Sequence, residues 1–267
     1  MINLGIIGGG GISETHARAA SEIEGVRVVA FTGANEGKVE ALSNKYGGRA
    51  YPDLTQFLTH EPMDAVIIGS PSGLHAQEGT ECARRGLHVL VEKPIDVTVE
   101  KADALISECA KANVKLAVCY QDRFSADGVR LKQLLDQGGL GRLILVSGNV
   151  KWYRPPEYYS GSRWRGKLAL DGGGALMNQG IHTVDLLLWL LGDVKRVYAQ
   201  SRTALHDIES EDTLVSIIEF GNGALGTSAP STVTALPLRR LTCRRRPNRP
   251  ALRARPRSVP AHTRHAS

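Results

Sequence analysis

The sequence near the start of the chain reads Asn3-Leu4-Gly5-Ile6-Ile7-Gly8-Gly9-Gly10-Gly11-Ile12-Ser13, an apolar run followed by a glycine-rich turn. The apolar run predicts a buried strand, and the amphipathic residues 12–22 predict a helix. Gly8 permits a tight turn, Gly10 lets a ligand approach the backbone, and the small Ser13 allows the helix to pack closely. This strand–turn–helix arrangement is typical of a dinucleotide-binding fingerprint, in which the helix N-terminus holds a pyrophosphate. The alternative is a glycine-rich turn without a ligand, because serine stands where the third glycine or alanine is usual.

The residues that follow alternate between short apolar runs and helix-length amphipathic segments, which predicts a parallel sheet wrapped by helices. We expect an α/β domain over residues 1–121, with a doubly wound, Rossmann-type sheet that binds its ligand at the carboxyl ends of the strands. The predicted strands cover residues 3–7, 26–31, 65–68, 88–91 and 115–118, and the predicted helices cover residues 12–22, 36–45, 74–85 and 99–112.

The second predicted strand does not choose between the two dinucleotides. An acidic residue at its end would hold the ribose 2′-hydroxyl of NAD, whereas small residues and a base would suit the 2′-phosphate of NADP. The strand ends in Phe31-Thr32-Gly33-Ala34-Asn35, which provides neither arrangement. Glu36 could serve NAD and Lys38 could serve NADP, so the cofactor is expected to be NAD or NADP.

The pattern changes after Arg123, where we expect an incomplete α+β domain over residues 122–228. A helix over 128–137 precedes strands over 143–150, 194–201 and 213–220, and one long helix is predicted over 175–191. These strands alternate apolar and polar residues, which favours a mainly antiparallel sheet. Gly221-Asn222-Gly223 predicts a hairpin turn after the last of these strands.

The composition separates a mildly acidic body from a basic end. The 267 residues are 42% hydrophobic, which excludes a disordered or fibrous protein, and 33 Lys and Arg against 27 Asp and Glu give a formal net charge of +6. Residues 229–267 contain ten arginines but no lysine or acid, so residues 1–228 carry a net charge of −4. Such an arginine- and proline-rich segment predicts a disordered tail, or the out-of-frame product of a frameshift near Thr227. The alternative is a basic arm for nucleic acid, which we favour less because such arms mix lysine with arginine.

The cysteine pattern argues against a metal site and a disulfide scaffold, because Cys82, Cys109, Cys119 and Cys243 are far apart and form no C-x-x-C pair. We therefore expect no bound metal and a reducing compartment. The first residues lack the features of a signal peptide, and the longest apolar run is too short to span a bilayer. We expect a cytoplasmic protein that has no membrane partner.

Two segments place polar side chains beside predicted apolar elements. Lys93 of Glu92-Lys93-Pro94 stands at the carboxyl edge of a predicted strand, although a single lysine is more often a solvated surface charge. Asn178, His182 and Asp185 are spaced by four and three residues, so they would share one face of the long helix. They could form a reactive site, or a buried His–Asp pair could simply fix the helix.

Together these residues resemble the Gfo/Idh/MocA family of NAD(P)-dependent oxidoreductases over about residues 3–228. The resemblance rests on the glycine turn with His16, on Ser70-Pro71-Ser72-Gly73-Leu74-His75, on Glu92-Lys93-Pro94, on residues 120–124 and on Gly172-Gly173-Gly174 through His182 and Asp185. The segments Trp152-Tyr153-Arg154-Pro155-Pro156-Glu157-Tyr158-Tyr159 and Trp164-Arg165-Gly166-Lys167, together with residues 177–179 and 208–213, resemble a subgroup of UDP-N-acetylglucosaminuronate 3-dehydrogenases.

The resemblance implies that Lys93 and His182 are the catalytic pair. His182 would accept the hydroxyl proton while Lys93 polarises the hydroxyl, and the reverse assignment stays open. Asn178 stands where many members of the family carry Asp, so Asp185 is a second candidate partner. The implied cofactor-binding residues are Gly8, Gly10, Gly11, Ile12, Ser13, Ser70, Pro71, His75, Glu92 and Lys93. The implied substrate-binding residues are Arg123, Arg154, Trp164 and Arg165. The guanidinium groups of the three arginines suit a carboxylate or phosphate, although these arginines could equally be surface charges.

The implied reaction is hydride transfer between NAD(P) and a secondary alcohol of a sugar, sugar acid or nucleotide sugar. The alternatives are an NAD-dependent glycosidase of the same family and an inactive, truncated product. The family also implies a homo-oligomer, which a truncation would put in question.

Overall fold

The computed structural model describes residues 1–245 of the chain, without the side chains of residues 235–240 and 243–245. The first unit contains the strands β1 (Ile2–Ile7), β2 (Val26–Thr32), β3 (Arg49–Tyr51), β4 (Ala65–Ile68), β5 (His88–Val91) and β6 (Leu116–Val118). They form one sheet in the order β3-β2-β1-β4-β5-β6, and all neighbouring strands are parallel. The predicted doubly wound parallel sheet is therefore confirmed. The sequence prediction missed β3, which is only three residues long.

Helices cover both faces of this sheet: α1 (Gly11–Ser21), α2 (Glu36–Tyr46), α3 (Leu54–Phe57), α4 (His75–Arg84) and α5 (Val99–Lys111). The Asn35 side chain accepts a hydrogen bond from the Lys38 amide at the start of α2, and Thr98 caps α5 in the same way. Separate apolar clusters fill the two faces, one around Phe57 and Leu105 and the other around Phe31. The order of connection reverses between β1 and β4, so the crevice for a ligand opens at the carboxyl ends of these strands.

The second unit begins with α6 (Ala126–Asp136) and contains the strands β7 (Leu143–Tyr153), β8 (Val194–Arg202), β9 (Thr213–Phe220), β10 (Leu225–Ser231) and β11 (Val233–Arg245). The sheet order is β11-β7-β10-β9-β8, in which only β7 and β10 are parallel among the described strands. The predicted mainly antiparallel sheet is confirmed. The predicted hairpin at Asn222 also forms, because the Phe220 amide donates to Ala224 O between β9 and β10. Within residues 1–245, no helix is both long enough and apolar enough to cross a bilayer.

The predicted helix over 175–191 is two elements. After the short α7 (Pro156–Ser160) and α8 (Leu168–Asp171), a π-helical turn covers Ala175–Gly180, and α9 covers Ile181–Leu191. Glu211 imposes this start, because its carboxylate accepts from the amides of Gly174 and Leu176, and its carbonyl accepts from the amide of Ala175. The turn breaks the spacing of four residues between Asn178 and His182, whereas His182 and Asp185 both remain on α9, so the predicted common face loses Asn178.

The sequence analysis predicted a tail from residue 229, and this start is too early in the chain. Strand β10 runs to Ser231, and β11 pairs with β7 from Val233 to Arg245, so residues 229–245 belong mostly to the sheet. Main-chain hydrogen bonds build this edge although the sequence lacks the apolar alternation on which the prediction relied. Residues 246–267 lie outside the described part of the chain, and the frameshift near Thr227 stays a prediction.

The two units pack so closely at two glycines that neither position has space for a side chain. A Cβ atom on Gly73, before α4, would lie 2.2 Å from the carbonyl oxygen of Ala169 in α8. A Cβ atom on Gly172, whose φ is +79°, would lie 2.8 Å from Cβ of Val97. Only glycine allows the backbone of one unit to approach the other this closely.

Candidate active site

The glycine turn after β1 forms an open cradle. Gly8 has φ of +119°, and a Cβ atom there would lie 2.7 Å from both Gly69 O and Ser13 Oγ, so only glycine fits this position. In contrast, Cβ atoms on Gly10 and Gly11 would meet nothing within 4 Å, which leaves the start of α1 open to a ligand. The buried Ser13 Oγ has no hydrogen-bond partner. These features fit a dinucleotide pyrophosphate at the helix start, beside the predicted contact residue Ile12.

The edge where the adenosine ribose would lie is formed by β2 and α2. Lys38 packs against Gly9, where an added Cβ atom would lie 3.2 Å from Lys38 Cβ. Glu36 occupies the first turn of the same helix. Glu36 and Lys38, the residues that the sequence suggested for NAD and for NADP, therefore both lie at this edge. Their positions do not distinguish the two cofactors.

The loop after β4 links the cradle to the turn that carries Lys93. The ring of His75 is 1% exposed, and its two nitrogens lie 2.8 Å from Pro94 O and 3.0 Å from Ser70 O. Ser70 Oγ donates to Glu78 at 2.5 Å, and burial raises the pKa of Glu78 to about 7. Pro71 follows Ser70 directly. His75 therefore joins two backbone segments, and its predicted role in binding the cofactor stays a prediction.

Glu92 holds the backbone of the Lys93 turn. One carboxylate oxygen lies 2.8 Å from His16 Nε2, and the other accepts from the Lys93 amide at 3.2 Å. Burial acts to raise the pKa of Glu92, but the contacts with His16 and Lys93 outweigh it and lower the pKa. His16 stands on α1, so Glu92 connects the helix of the cradle to the reactive turn.

His16, Glu92 and Cys119 are the one group of potential metal ligands found within the described residues, with ligand atoms within 4.8 Å of one another. Burial raises the pKa of Cys119 to about 12, so this thiol is protonated at neutral pH. Because metals bind the thiolate and the His16–Glu92 contact occupies the other two residues, this geometry does not favour a metal ion.

Lys93 is the cation at the centre of the site. Its Nζ donates to the carbonyl oxygen of Asn178 at 3.0 Å, from the first unit to the second. Burial lowers the pKa of Lys93, against the opposing effect of the carboxylates of Glu92 and Asp171. An ammonium has three N–H donors, so Lys93 can keep this bond and still donate to a ligand.

His182 lies in the first turn of α9 with a free ring nitrogen. Its Nδ1 is buried and has no hydrogen-bond partner, while its ring packs edge-on against Tyr120 with the centroids 6.2 Å apart. Burial lowers the pKa of His182, and the charge of Lys93 lowers it further. His182 is therefore neutral at pH 7 and can accept a proton.

Asp185 does not pair with His182. Its two carboxylate oxygens accept from Arg123 Nε at 2.8 Å and from Arg123 Nη2 at 2.5 Å. These two bonds engage the guanidinium of Arg123, so the structure does not favour the substrate-binding role that the sequence analysis predicted for Arg123. The alternative of a satisfied His–Asp pair does not form either, because Arg123 engages both carboxylate oxygens of Asp185 while His182 Nδ1 has no hydrogen-bond partner.

Asn178 is oriented by a residue that the sequence analysis missed. Its Nδ2 donates to Asp171 Oδ1 at 2.7 Å, and its Oδ1 accepts from Gln179 Nε2 at 3.1 Å. The other oxygen of Asp171 accepts from the Gly166 amide at 2.9 Å. Asp171 directly precedes Gly172-Gly173-Gly174, so its position beside this glycine run was the available signal.

Two arginines lie against the ring of Tyr158. The guanidinium carbon of Arg154 lies 4.7 Å from the ring centroid, and that of Arg165 lies 4.3 Å from it. Trp152 stacks on Arg154, and Trp164 stacks on Arg165. Both Nε atoms are buried without a hydrogen-bond partner, and Arg154 Nη2 donates to Gln179. The predicted group of Arg154, Trp164 and Arg165 is therefore brought together.

Comparison with known proteins agrees with this arrangement. Residues 2–120 match the oxidoreductase family with an NAD-binding Rossmann fold, and residues 129–244 match the GFO/IDH/MocA C-terminal domain. The chain belongs to the GFO/IDH/MocA family of oxidoreductases. Its first unit is the family's NAD-binding domain, and the match to the second domain includes β11, which the sequence analysis had assigned to a tail.

Relatives within the GFO/IDH/MocA family carry different substrates in their names. Myo-inositol 2-dehydrogenase from Thermotoga maritima is 26% identical, over 84% of this chain and 67% of its own. The rhizopine catabolism protein MocA from Rhizobium meliloti is 31% identical, over 84% and 69%. The crystal structure of the WlbA dehydrogenase from Bordetella pertussis, in complex with NADH and UDP-GlcNAcA, is 37% identical with a TM-score of 0.88, over 91% of this chain and 70% of that one. The chain spans about two thirds of the length of the curated relatives it matches.

Proposed function

We propose that this chain is an NAD(P)-dependent dehydrogenase that oxidises a secondary alcohol of a sugar, sugar acid or nucleotide sugar. The observation that carries the proposal is the pairing of a buried lysine with a histidine whose ring nitrogen is free. Lys93 Nζ donates to the main-chain carbonyl of Asn178, one helical turn before His182. The Nδ1 atom of His182 has no hydrogen-bond partner within the described residues. Both lie at the carboxyl edge of the NAD-binding sheet, where ligands bind in this fold.

The reaction removes a hydride from the carbinol carbon and a proton from its oxygen. A dinucleotide held at Gly8, Gly10 and Gly11 would supply a nicotinamide as the hydride acceptor. Neutral His182 accepts the hydroxyl proton on its imidazole ring, and the Lys93 ammonium donates to the same oxygen and stabilises the charge that develops there. The reverse roles, with Lys93 as the base, stay open because burial lowers the pKa of Lys93 as well.

The stacked arginines favour a substrate that carries an anionic group. Arg154 and Arg165 both lie against Tyr158 and are half-buried, so two guanidinium groups are available to a carboxylate or phosphate. A relative crystallised with a UDP-linked sugar acid supports this substrate class. We therefore infer that the substrate is a sugar acid or a nucleotide sugar rather than a neutral polyol.

A screen of cofactor reduction tests the proposed function. Sugars, uronates and nucleotide sugars are incubated with the chain and with NAD or NADP, while the absorbance of the reduced cofactor is followed. We expect turnover with an anionic substrate and little with neutral polyols. Absence of reduction with every substrate would contradict the proposed activity, and release of free sugar without net reduction would indicate the glycosidase alternative.

The matched variants Arg165→Ala and Arg163→Ala test the substrate class within the same screen. Arg163 is exposed on the same loop, so its loss controls for a change in charge. A charge-assisted hydrogen bond contributes about 1.5–3 kcal/mol, so Arg165→Ala is expected to raise KM for the anionic substrate by about 10–100-fold. Arg163→Ala should change it little. Equal KM values for the two variants would overturn the assignment of Arg165.

We also propose that the second sheet pairs with a second copy of the chain. One sheet face exposes Leu145, Tyr198, Val215, Ile217 and Leu225, which lie side by side in the strand register. An apolar patch on a sheet face is typical of a subunit interface. The cytoplasmic location stays a prediction that rests on the dispersed cysteines.

The variant Ile217→Glu tests the oligomer by light scattering on a sizing column. We expect the native chain to have the mass of a dimer or larger assembly, and we expect a buried charge in the variant to reduce it to one chain. Val99→Glu is the control, because Val99 is a 71% exposed apolar residue on α5, away from this face. A monomeric native chain would contradict the proposal.

A further inference from the structure

The charge of Lys93 needs a counter-ion that the second unit supplies. Lys93 is held by a carbonyl oxygen, which carries no net charge, while the side chain of Asn178 is a neutral amide. The groups that act electrostatically on Lys93 or lie beside it are Glu92, Cys119, Arg165, Asp171 and His182. Glu92 and Asp171 are the two carboxylates that raise the pKa of Lys93, and the effect of Glu92, its neighbour in the first unit, is the larger. Asp171 is the counter-charge that the second unit supplies.

Asp171 is built to remain a carboxylate. Its side chain is 2% exposed, and each oxygen accepts from an N–H group, one from Gly166 and one from Asn178. The Gly166 amide and the Asn178 Nδ2 group can only donate hydrogen bonds, so both favour the ionised form of Asp171. Burial raises the pKa of Asp171, and these two hydrogen bonds, together with the charges of Lys93 and Arg165, oppose that effect.

We propose that Asp171 is the positioning residue that balances the charge of Lys93 and fixes the amide of Asn178. The carboxylate acts through a short chain of contacts: Asp171 Oδ1 holds Asn178 Nδ2, and the carbonyl of Asn178 holds Lys93 Nζ. Asp171 thereby keeps the lysine protonated and directed at one point of the site. The catalytic importance of Lys93 rests on the proposed function, whereas the electrostatic link to Asp171 does not.

The pKa of Lys93 measures this link without any turnover. Lysines of the full chain are reductively methylated with ¹³C, the Lys93 signal is assigned by its loss in Lys93→Arg, and its chemical shift is followed against pH. An opposite charge stabilises the protonated lysine, so Asp171→Asn is expected to lower the Lys93 pKa by about one unit. Glu157→Gln removes the same charge from an exposed position on α7 and should leave the Lys93 pKa unchanged.

A charge swap keeps the proposal testable if Asp171→Asn does not fold. The double variant Asp171→Asn with Asn178→Asp preserves an amide–carboxylate hydrogen bond and moves the charge by one contact, so it should restore a Lys93 pKa close to that of the native chain. An unchanged Lys93 pKa in folded Asp171→Asn, or a swap that folds without restoring that pKa, would overturn the proposal. Dehydrogenase inactivity of the native chain would contradict the proposed function and leave this measurement intact.

Discussion

Replacing Lys93 with alanine is expected to lower kcat by about 10²–10⁴-fold, the range that a positioned acid or base contributes. The ammonium of Lys93 is the cation that can stabilise the alcohol oxygen as its proton leaves, and its Nζ is held in place by the carbonyl of Asn178. A water molecule in the space left by the side chain carries no charge and has no fixed direction. The measurement is the steady-state rate of cofactor reduction with the substrate that the screen identifies.

Binding of the dinucleotide should survive the same substitution. The cradle at Gly8, Gly10 and Gly11 is backbone that follows β1, whereas Lys93 follows β5 and its Nζ donates to Asn178 O of the second unit. Titration with NADH fluorescence should give similar Kd values for the native chain and the variant. Lys111→Ala, an exposed lysine at the end of α5, is the control and should keep full activity. Native-like turnover in Lys93→Ala would refute the role of Lys93.

The second large effect is expected for His182→Gln, which should reduce kcat/KM by about 10²–10⁴-fold at pH 7.5. Glutamine can keep a hydrogen bond at this position but cannot accept a proton near neutral pH. The residual rate should also lose its acid limb, because the group that titrates there is gone. These results require a pH profile of kcat/KM for the native chain and the variant, measured with the same substrate.

The direction of the native pH profile follows from the state of His182. A base acts only when it is unprotonated, so kcat/KM falls as the pH drops through the pKa of His182. The ordinary value is about 6.5, and burial with the nearby Lys93 lowers it. We therefore expect kcat/KM to have its acid midpoint below pH 6.5 and to approach a tenfold loss per pH unit below that midpoint. If the acid limb persists in His182→Gln and disappears in Lys93→Ala, Lys93 is the base and the reverse assignment holds.

Regular patterns of the sequence predicted the elements that depend on local burial. The strands over 65–68, 88–91 and 213–220 were predicted with the bounds they have, because each is an apolar or alternating run with turn residues at both ends. The glycine turn was predicted because its strand–turn–helix context is local as well. Strand β11 was missed because its pairing with β7 uses main-chain bonds that any residue except proline can make.

The partners within the site could not be predicted, because they come from segments that are distant in the sequence. Asp185 lies in α9, but the residue that holds it, Arg123, precedes it by 62 positions. The π-helical turn that rotates Asn178 away from the face of α9 depends on Glu211 in a later loop. Helical spacing alone assumes an unbroken α-helix, so it placed Asn178 on one face with His182 and Asp185, and it could not show that Asp185 is held by Arg123.

The junction at Gly73 and Gly172 has a consequence for how the site is assembled. A Cβ atom at Gly73 would lie 2.2 Å from Ala169 O, and one at Gly172 would lie 2.8 Å from Val97 Cβ, so a side chain at either position would push the two units apart. The lysine of the first unit and the histidine of the second would then move with them. Residues without any reactive group, as far away as α8, therefore help to set how these two side chains face each other.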